Sequence, residues 1–320
     1  MSAFDAVVLL LTSPCLAEPS PEMEPVASSG AASRRRSSSD DGGSIFVVAD
    51  PEAPHLRVQD LGATRGDGIF ETLSVCGGRV QALEAHLTRF ANSARLLDLP
   101  EPDLDDYRSA ILAAVARHVP VAELWVKTVL TRGVEGAGGA QGVPTGWVLA
   151  EAVGDLSAVR TQGIRVVTLD RGYRHDVAET SPWLLQGAKT LSYAVNRSVL
   201  REAERRGADD VIFVSSDGFV LEGPTSNVIA RFGTLLVTPS TDQGILAGTT
   251  QANVFSYAES IGMKTEYAPM LFADLADADA LWLVSSVRHA APVNALNGRA
   301  LLVDVELSRE INDFLIARTE

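Results

Sequence analysis

The sequence predicts an α+β fold built in two halves. The second half is denser in strand-like segments than the first, and no repeat of fixed period runs through either half. A length of 320 residues allows one large domain or two ordinary ones, and a hydrophobic content of 46% suffices for a sizeable core. We therefore expect a small N-terminal α/β domain over residues 45–152, a linker over 153–162 and a larger C-terminal mixed domain over 163–320.

The N-terminal segment, residues 1–44, contains a stretch that is predicted to be largely disordered. Residues 13–44 are rich in Ser, Pro and Glu, so they cannot bury enough apolar surface to offset the entropy lost on ordering. Strand-like runs flank this stretch at 6–12 and 45–49. Two interpretations stay open: a disordered N-terminal tail, or a first hairpin whose loop is longer by about thirty residues, which costs little because closure entropy grows logarithmically.

The elements of the first half follow from apolar spacing and from one capping residue. Leu87, Phe90 and Ala94 recur at helical spacing, and Asp103 can cap a second helix that continues to His118. The predicted elements are a strand at 69–75, a helix at 84–97, a helix at 103–118, and strands at 124–131 and 147–152 joined by a Gly-rich loop over 133–146.

The second half reads as strands broken by turns and helices. Asp217-Gly218 and Asn297-Gly298 are strong hairpin signals. The predicted elements are strands at 164–169, 210–214, 219–221, 228–231, 234–237 and 280–284, a helix after Lys189, a helix at about 250–261 and a closing helix at 303–316.

Charge and cysteine content exclude several classes of protein. A formal net charge of -14 disfavours nucleic acid and anionic membranes as partners, and it requires a local basic pocket for any anionic substrate. Cys15 and Cys76 cannot form a disulfide framework, and no Cys/His spacing predicts a metal site, which fits a reducing cytoplasm. The apolar run at 7–11 lacks the basic residues of a signal peptide, and no stretch approaches the ~20 apolar residues of a membrane span.

Two segments carry side chains suited to covalent and electrostatic catalysis. Lys189 lies among small residues just before a predicted helix; such a lysine is usually solvated, but a desolvated lysine amine forms Schiff bases. Glu222 follows an apolar hairpin strand. It is either an exposed carboxylate at a turn or an anion fixed beside a cationic ring nitrogen.

Two further segments could bind an anion. Gly248-Thr249-Thr250 runs into a predicted helix, where backbone N–H groups and the helix dipole attract anions, although ordinary capping would use the same residues. His86 and Arg89 share one helical face. Arg89 adjoins the apolar stripe, where a partly buried guanidinium suits a phosphate; a surface ion pair is the alternative.

In this order and spacing, the segments resemble the fold-type IV enzymes that use pyridoxal 5'-phosphate (PLP). That family includes branched-chain aminotransferases, D-amino-acid aminotransferases and 4-amino-4-deoxychorismate lyases. The resemblance covers about residues 45–305. Its motifs are Gly66-Asp67-Gly68-Ile69-Phe70-Glu71-Thr72, His86-x-x-Arg89, Lys189, Glu222-Gly-x-x-x-Asn227, Gly248-Thr249-Thr250, Ser285-Ser286 and Pro292-Val293.

This resemblance implies a D-amino-acid aminotransferase-like fold, PLP as the cofactor and a homodimer. Lys189 would hold the cofactor as a Schiff base and move the substrate proton, and Glu222 would pair with the pyridine nitrogen. Among the other implied cofactor contacts, Arg89, the backbone of Thr249 and Thr250, and Ser286 would hold the phosphate, and Asn227 would support the Glu222 loop.

Among family members, the segments 187–193, 207–211 and 221–224 look most like bacterial aminodeoxychorismate lyases. Those enzymes release pyruvate from 4-amino-4-deoxychorismate and give p-aminobenzoate for folate synthesis. A class IV aminotransferase acting on branched-chain or D-amino acids is the alternative. The Arg-x-His pair of D-amino-acid aminotransferases is absent after Thr131-Arg132-Gly133, and Thr190-Leu-Ser-Tyr replaces the branched-chain Gly-Gly-Asn-Tyr.

The lyase substrate carries two carboxylates, so an acidic protein must gather positive charge around it. We expect Arg65, Lys127 and Arg288 to meet these carboxylates, although Arg65 could equally be a surface residue before a turn. Tyr193 and Thr72 are the candidates for protonating the departing enolpyruvyl group. A cofactor-binding protein without activity is disfavoured, because the lysine, glutamate and arginine of the motifs are all intact.

Overall fold

Two β-sheets form the framework of the protein. A computed structural model describes residues 5–16, 44–136 and 142–318. In these ranges the first sheet has six strands and the second has eight. The strands of the first sheet lie between residues 6 and 152 and those of the second between 164 and 300, so the two sheets follow the two halves of the sequence.

The first sheet is antiparallel throughout, with two long helices packed on it. Its elements are β1 (Ala6–Leu11), β2 (Phe46–Ala49), α1 (Leu61–Arg65), β3 (Gly68–Cys76), β4 (Arg79–Val80), α2 (Leu83–Leu96), α3 (Leu104–Arg117), β5 (Glu123–Val134) and β6 (Val143–Ala152). The strand order is β2-β1-β6-β5-β3-β4.

The N-terminal strand lies inside the first sheet rather than in a tail. β1 pairs with β2 on one side and with β6 on the other, so residues 12–45 connect two paired strands. Within that connection, Leu16 N donates to Glu101 O and Asp103 N donates to Pro14 O. Residues 14–16 are therefore ordered, contrary to the disorder predicted from residue 13. The predicted disorder at 17–43 lies outside the described residues.

The two long helices of the first half, α2 and α3, form where capping and apolar spacing predicted them, whereas α1 was not predicted. The Asp103 side chain accepts a hydrogen bond from Asp106 N (3.2 Å), which satisfies a free donor at the start of α3. The apolar face of α2 is buried on the sheet through Leu87, Phe90 and Ala94. Phe90 meets Tyr107 of α3 edge to face, with ring centroids 4.8 Å apart, so the two helices and the sheet share one core.

The second half builds a mixed sheet with helices around it. Its elements are α4 (Ser157–Thr161), β7 (Ile164–Asp170), α5 (Val177–Thr180), α6 (Ala194–Arg205), β8 (Asp210–Val214), β9 (Asn227–Phe232), β10 (Leu235–Thr238), α7 (Thr249–Ser260), β11 (Lys264–Tyr267), β12 (Ala280–Ser285), β13 (His289–Leu296), β14 (Arg299–Ala300) and α8 (Val305–Ala317). Short 3-10 helices lie at Pro182–Leu184, Thr241–Gln243 and Phe272–Ala276.

The second sheet contains both parallel and antiparallel pairs. The strand order is β11-β10-β9-β12-β13-β7-β8, and β14 pairs with β13. The pairs β10/β11, β13/β7 and β7/β8 are parallel and the others are antiparallel. Trp282 of β12 is buried against α8 and donates from Nε1 to Ser308 Oγ (2.8 Å). This mixed sheet confirms the predicted α+β class.

Three local predictions differ from the structure. β5 and β6 extend to Val134 and from Val143, so the predicted loop at 133–146 is shorter; a register shift near Gly133, at φ +75°, lets the strands continue. The helix after Lys189 begins only at Ala194, and α4 forms within the predicted linker. Among the described residues, no helix is both long and apolar enough to cross a membrane.

Candidate active site

One large cavity, of about 830 Å³, lies between the two sheets. β3 and β5 line it from the first half, through Phe70, Thr72 and Lys127. The second half contributes the Lys189 loop, the segment around Glu222, the start of α7 and the turn between β12 and β13. The structure therefore brings most of the predicted site residues to one cavity.

The Lys189 loop is held against the first half of the chain. Lys189 N donates to Ser93 Oγ (3.1 Å), and Phe70 N donates to Lys189 O (3.0 Å). The side chain reaches over Phe70, whose ring centroid is 4.6 Å from Nζ. Burial lowers the pKa of Lys189 to about 8, against the carboxylates of Glu71 and Glu222. A lysine with this pKa has a much larger fraction of neutral, nucleophilic amine near neutral pH than an ordinary lysine has.

Glu222 extends the hairpin that β8 forms with residues 219–221. Phe213 N donates to Glu222 O (2.9 Å), which fixes the backbone. One carboxylate oxygen accepts from Leu246 N (3.2 Å). Burial raises the pKa of Glu222 to about 7, although Leu246 N and the Lys189 charge oppose the rise. A carboxylate in this setting gains from a cationic partner, which is what the protonated ring nitrogen of PLP offers.

Asn227 orients the segment that holds Glu222. Its Nδ2 donates to Leu246 O (2.8 Å), while the N–H of the same Leu246 reaches Glu222. Gly248 packs directly on Asn227. The resemblance implied that Asn227 supports Glu222. In the structure the two side chains are connected through the backbone of Leu246.

The start of α7 has the features of an anion site. Gly248 caps the helix without a side-chain hydrogen bond, and the twelve-residue helix points its positive end at the cavity wall that Thr249 and Thr250 form. Thr250 Oγ1 is buried and has no partner in the part of the chain that the structure describes. Ser286 Oγ lies beside this helix end, since it and Thr249 Oγ1 share a neighbour in His86. These donors fit the phosphate of PLP.

Arg89 lines the cavity but is not a free phosphate ligand. Its Nε and Nη2 both donate to the Glu71 carboxylate (2.7 Å each), and Nη1 donates to Ala247 O (2.8 Å). Glu71 therefore occupies the Nε–Nη2 edge, and a phosphate would have to meet the second N–H groups of Nη1 and Nη2. The sequence reading missed Glu71 as the partner, although Glu71 stands in the same motif as Phe70 and Thr72.

Glu71 and His86 form a buried pair behind the anion site. Glu71 Oε2 lies 2.7 Å from His86 Nδ1, and both side chains are almost fully buried. Burial alone would raise the pKa of Glu71, but Arg89 and His86 together hold that pKa well below its usual range. Burial lowers the pKa of His86, although Glu71 opposes this. His86 Nε2 lies 3.1 Å from Thr249 Oγ1 and 3.3 Å from Ser286 Oγ, so the pair orients both hydroxyls.

Of the five residues predicted to act on the substrate, Thr72 and three others line the cavity: Lys127, Tyr193 and Arg288. Lys127 lies over Phe70, 5.6 Å from the ring centroid to Nζ, and burial lowers its pKa. Tyr193 donates its hydroxyl to Pro224 O (2.8 Å). Arg65 is exposed at the end of α1 and does not line this cavity, as its position before a glycine turn allowed.

Arg288, the third of these residues, uses only part of its guanidinium to bind the protein. Nη1 donates to the buried carboxylate of Asp210 (2.6 Å). Nε and Nη2 are buried and have no partner among the described residues. Because Arg288 lines the cavity, these N–H groups suit a carboxylate of a bound substrate.

Arg171 also lines the cavity, and the sequence reading missed it. Its Cζ lies 4.7 Å from the centroid of Phe213 and 5.3 Å from that of Tyr173. It follows β7 directly, and its charge opposes the rise that burial causes in the pKa of Glu222. No local pattern marks it, because its aromatic partners come from other parts of the chain or from an irregular segment.

A second cluster holds atom types that bind metals, yet its charges disfavour a cation. Potential ligand atoms of Cys76, Glu123 and His289 lie within 4.8 Å of one another. Arg160 already donates to both oxygens of Glu123. Burial, followed by the nearby Arg160 charge, lowers the pKa of His289 to about 3. A guanidinium beside the cluster repels a metal ion, so we assign no metal to it.

Comparison with known proteins gives concordant results. The family model "Amino-transferase class IV" matches residues 68–296. The "Bifunctional aminodeoxychorismate lyase / D-amino acid transaminase" of Mycobacterium tuberculosis is 46% identical over 264 residues, which cover 79% of this chain and 90% of that protein.

Two solved structures show the same arrangement of the chain. A fold IV-transaminase from Curtobacterium pusillum is 54% identical, with a TM-score of 0.87, and the match covers 98% of this chain and 100% of the other. The PLP-bound form of a hypothetical aminotransferase from Mycobacterium tuberculosis is 44% identical, with a TM-score of 0.80, covering 85% and 96% of the two chains.

The fold and the cavity define a PLP enzyme of fold type IV. This chain belongs to the class IV aminotransferase family. The predictions of fold class, family and cofactor are thereby confirmed.

Proposed function

We propose that this enzyme is a 4-amino-4-deoxychorismate lyase, which converts its substrate to p-aminobenzoate and pyruvate. The observation that carries the proposal is the pairing, in one cavity, of the Lys189–Glu222 centre with cationic groups suited to an anionic substrate. Arg288 offers two buried N–H groups, and Lys127 and Arg171 add positive charge. The name of the Mycobacterium tuberculosis relative includes this activity.

The proposed roles of the residues follow from their surroundings. Bound PLP supplies an electron sink for the carbanion that forms when the substrate loses a proton. Lys189, with its lowered pKa, takes that proton from the amine-bearing carbon of the substrate. Glu222 holds a proton on the ring nitrogen, and Leu246 N keeps the carboxylate in place.

The other end of the cofactor is held by short polar groups. Thr249, Thr250 and Ser286 bind the phosphate, and the positive end of α7 adds a favourable field. Arg89 contributes charge and fixes Ala247 O, while Asn227 fixes Leu246. The C–O bond to the enolpyruvyl group breaks, that group takes up one proton and leaves as pyruvate, and the ring left behind is aromatic. The protein therefore has mainly to position groups and exclude water.

A class IV aminotransferase is the second candidate, and the names of two relatives favour it. The Curtobacterium pusillum protein, 54% identical, is named a fold IV-transaminase. The same Mycobacterium tuberculosis relative is also named a D-amino acid transaminase. Against that reading, the Arg-x-His pair that D-amino-acid aminotransferases carry after Thr-Arg-Gly is absent, because Val134-Glu135-Gly136 follows Gly133 in this sequence.

Product analysis separates the two activities. The purified enzyme is incubated with 4-amino-4-deoxychorismate in the absence of any oxo acid. Equal formation of p-aminobenzoate and pyruvate supports the lyase. If no p-aminobenzoate forms, and the enzyme transfers amino groups from D-amino acids or branched-chain amino acids to 2-oxoglutarate, the enzyme is an aminotransferase and the lyase assignment is wrong. Lys189→Met is the control, because any product of uncatalysed substrate breakdown still forms in the presence of this variant.

The cofactor attachment has its own test. Treatment with borohydride, followed by peptide mapping, should place a reduced pyridoxyl label on Lys189. A label on Lys127, the other cavity lysine, would contradict the assignment. This result does not depend on which substrate the enzyme uses.

The proposal extends to assembly and location. We propose a cytoplasmic homodimer, as the family resemblance implies. Trp183 is 73% exposed next to Leu184, which lines the cavity, so an apolar partner surface fits near the cavity rim. The free thiols of Cys15 and Cys76 suit a reducing compartment. Light scattering of wild type and Trp183→Ser tests the dimer: a monomeric wild type contradicts it.

A further inference from the structure

We propose that Arg160 is a positioning residue that clamps the β12–β13 turn, residues 286–288, from behind. The proposal rests on the proposed function, because it takes Ser286 as a phosphate contact and Arg288 as a substrate contact. Both side chains line the cavity in front of this turn. Arg160 lies outside the cavity lining, in helix α4, which follows the first sheet and precedes the second along the chain.

The contacts of Arg160 are directed at the backbone of the turn. Its Nε donates to Arg288 O (3.2 Å) and its Nη2 donates to Val287 O (3.0 Å). The guanidinium also makes a two-pronged pair with Glu123, at 2.7 and 2.6 Å. Only 8% of Arg160 is exposed, so these bonds form largely away from competing water.

The clamp ties the turn to the first sheet. Glu123 is the first residue of β5, whereas the turn belongs to the second sheet. A second contact runs in parallel, since Ser74 Oγ of β3 lies 3.3 Å from His289 Nε2. His289 holds a left-handed backbone at φ +62°, which a side chain other than glycine adopts at a cost. A turn that ends in such a residue needs support from its surroundings.

Geometry rather than charge accounts for this role. The hydrogen bond from Arg160 lowers the pKa of Glu123, against the effect of burial, so the pair is ionic and nearly neutral overall. Arg160 therefore adds little net field at the cavity. Its planar fork reaches the carboxylate and two carbonyls at once, which a lysine ammonium cannot match. Arg160→Lys keeps the charge and loses the geometry.

Binding of PLP and of pyridoxal, which lacks the phosphate, gives a readout specific to the turn. We expect Arg160→Lys to weaken PLP binding to the apoenzyme by about tenfold, because Ser286 shifts, and to leave pyridoxal binding unchanged. The KM for aminodeoxychorismate should rise because Arg288 shifts, with kcat within about threefold of wild type at saturating cofactor. Glu123→Gln should also weaken PLP binding and raise the KM, each by a smaller factor. It replaces Arg160→Lys in the test if Arg160→Lys does not fold.

Arg318 offers a matched control. It is also 8% exposed and also joins the two halves, because its Nε donates to Gln81 Oε1 (2.8 Å) and its carbonyl accepts from Gln81 Nε2 (3.0 Å). It makes no hydrogen bond to residues 286–288 among the contacts of the described chain. Arg318→Lys should lower the thermal midpoint and leave the ratio of PLP to pyridoxal affinity unchanged.

The outcomes distinguish the Arg160 clamp from the phosphate site on which it depends. A selective loss of PLP affinity in Arg160→Lys, absent from Arg318→Lys, supports the clamp. Equal weakening of PLP and pyridoxal, or no change in either, overturns the clamp and leaves the phosphate assignment intact. If the wild-type apoenzyme itself fails to prefer PLP over pyridoxal, the phosphate site of the proposed function fails, and the clamp falls with it.

Discussion

Gly248 and Asn227 are packed so closely that a β-carbon on Gly248 would lie 1.9 Å from Asn227 Oδ1. Asn227 in turn holds Leu246 O, and Leu246 N holds the Glu222 carboxylate. The absence of a side chain at position 248 therefore influences both ends of the cofactor site. It lets the backbone approach Asn227, and it places the start of α7 beside the cavity.

Substitution of Gly248 should damage cofactor binding without a general loss of fold. Gly248→Ala forces Asn227 or the α7 cap to move, so we expect the affinity for PLP to fall by at least about tenfold. Titration of the apoenzyme measures this. Gly154→Ala is the control, because a β-carbon there meets nothing within 4 Å. Normal PLP affinity in Gly248→Ala would show that the packing is not needed for the site.

The sequence singled out the two residues of the proposed cofactor centre, Lys189 and Glu222, but not the residues that support them. Lys189 and Glu222 follow turn and strand signals that are local, and the family motifs fix their order, so both could be found before the fold was known. Arg160 and Arg171 gain their roles from partners distant in sequence or in irregular segments, and periodicity carries no such information. Sequence also left open where Arg65 lies, since a cation beside a glycine turn looks the same whether it faces a cavity or water.

Titration of Glu222 should be visible in the stability of the apoenzyme. The pKa is about 7 in the folded chain against an ordinary value of 4.5, so the folded state binds more protons between these limits. The free energy of unfolding of wild type should therefore fall as the pH rises from about 4.5 to about 7. Glu222→Gln lacks this group, so its stability relative to wild type should increase over the same range.

Urea denaturation of the apoenzymes at pH 5 and pH 8 measures this difference. Glu306→Gln, at an exposed position in the first turn of α8, controls for the loss of one carboxylate. If the free energies of unfolding of Glu222→Gln and wild type differ by the same amount at both pH values, Glu222 is not a high-pKa carboxyl.

Tyr193 should prove to be a structural contact rather than a proton donor. Its hydroxyl already donates to Pro224 O, and burial raises its pKa to about 12, which makes it a weaker acid. We expect Tyr193→Phe to lower kcat by less than about tenfold, whereas loss of a general acid costs roughly 10²–10⁴-fold. Steady-state kinetics of Tyr193→Phe and of Thr72→Val test the two candidates for protonating the departing enolpyruvyl group. A hundredfold loss in Tyr193→Phe alone would restore it as the donor.

Arg288 should set the affinity for the substrate rather than the rate. Removing it alone would leave the buried Asp210 carboxylate without its partner and destabilise the fold. The informative comparison is therefore Asp210→Asn with the double variant Asp210→Asn/Arg288→Met. We expect the double variant to raise the KM for aminodeoxychorismate by about 10- to 100-fold over the single one, the effect of one charge-assisted carboxylate contact, with a similar kcat. An unchanged KM would remove Arg288 from the substrate site, and the unpartnered Nε and Nη2 would then need another ligand.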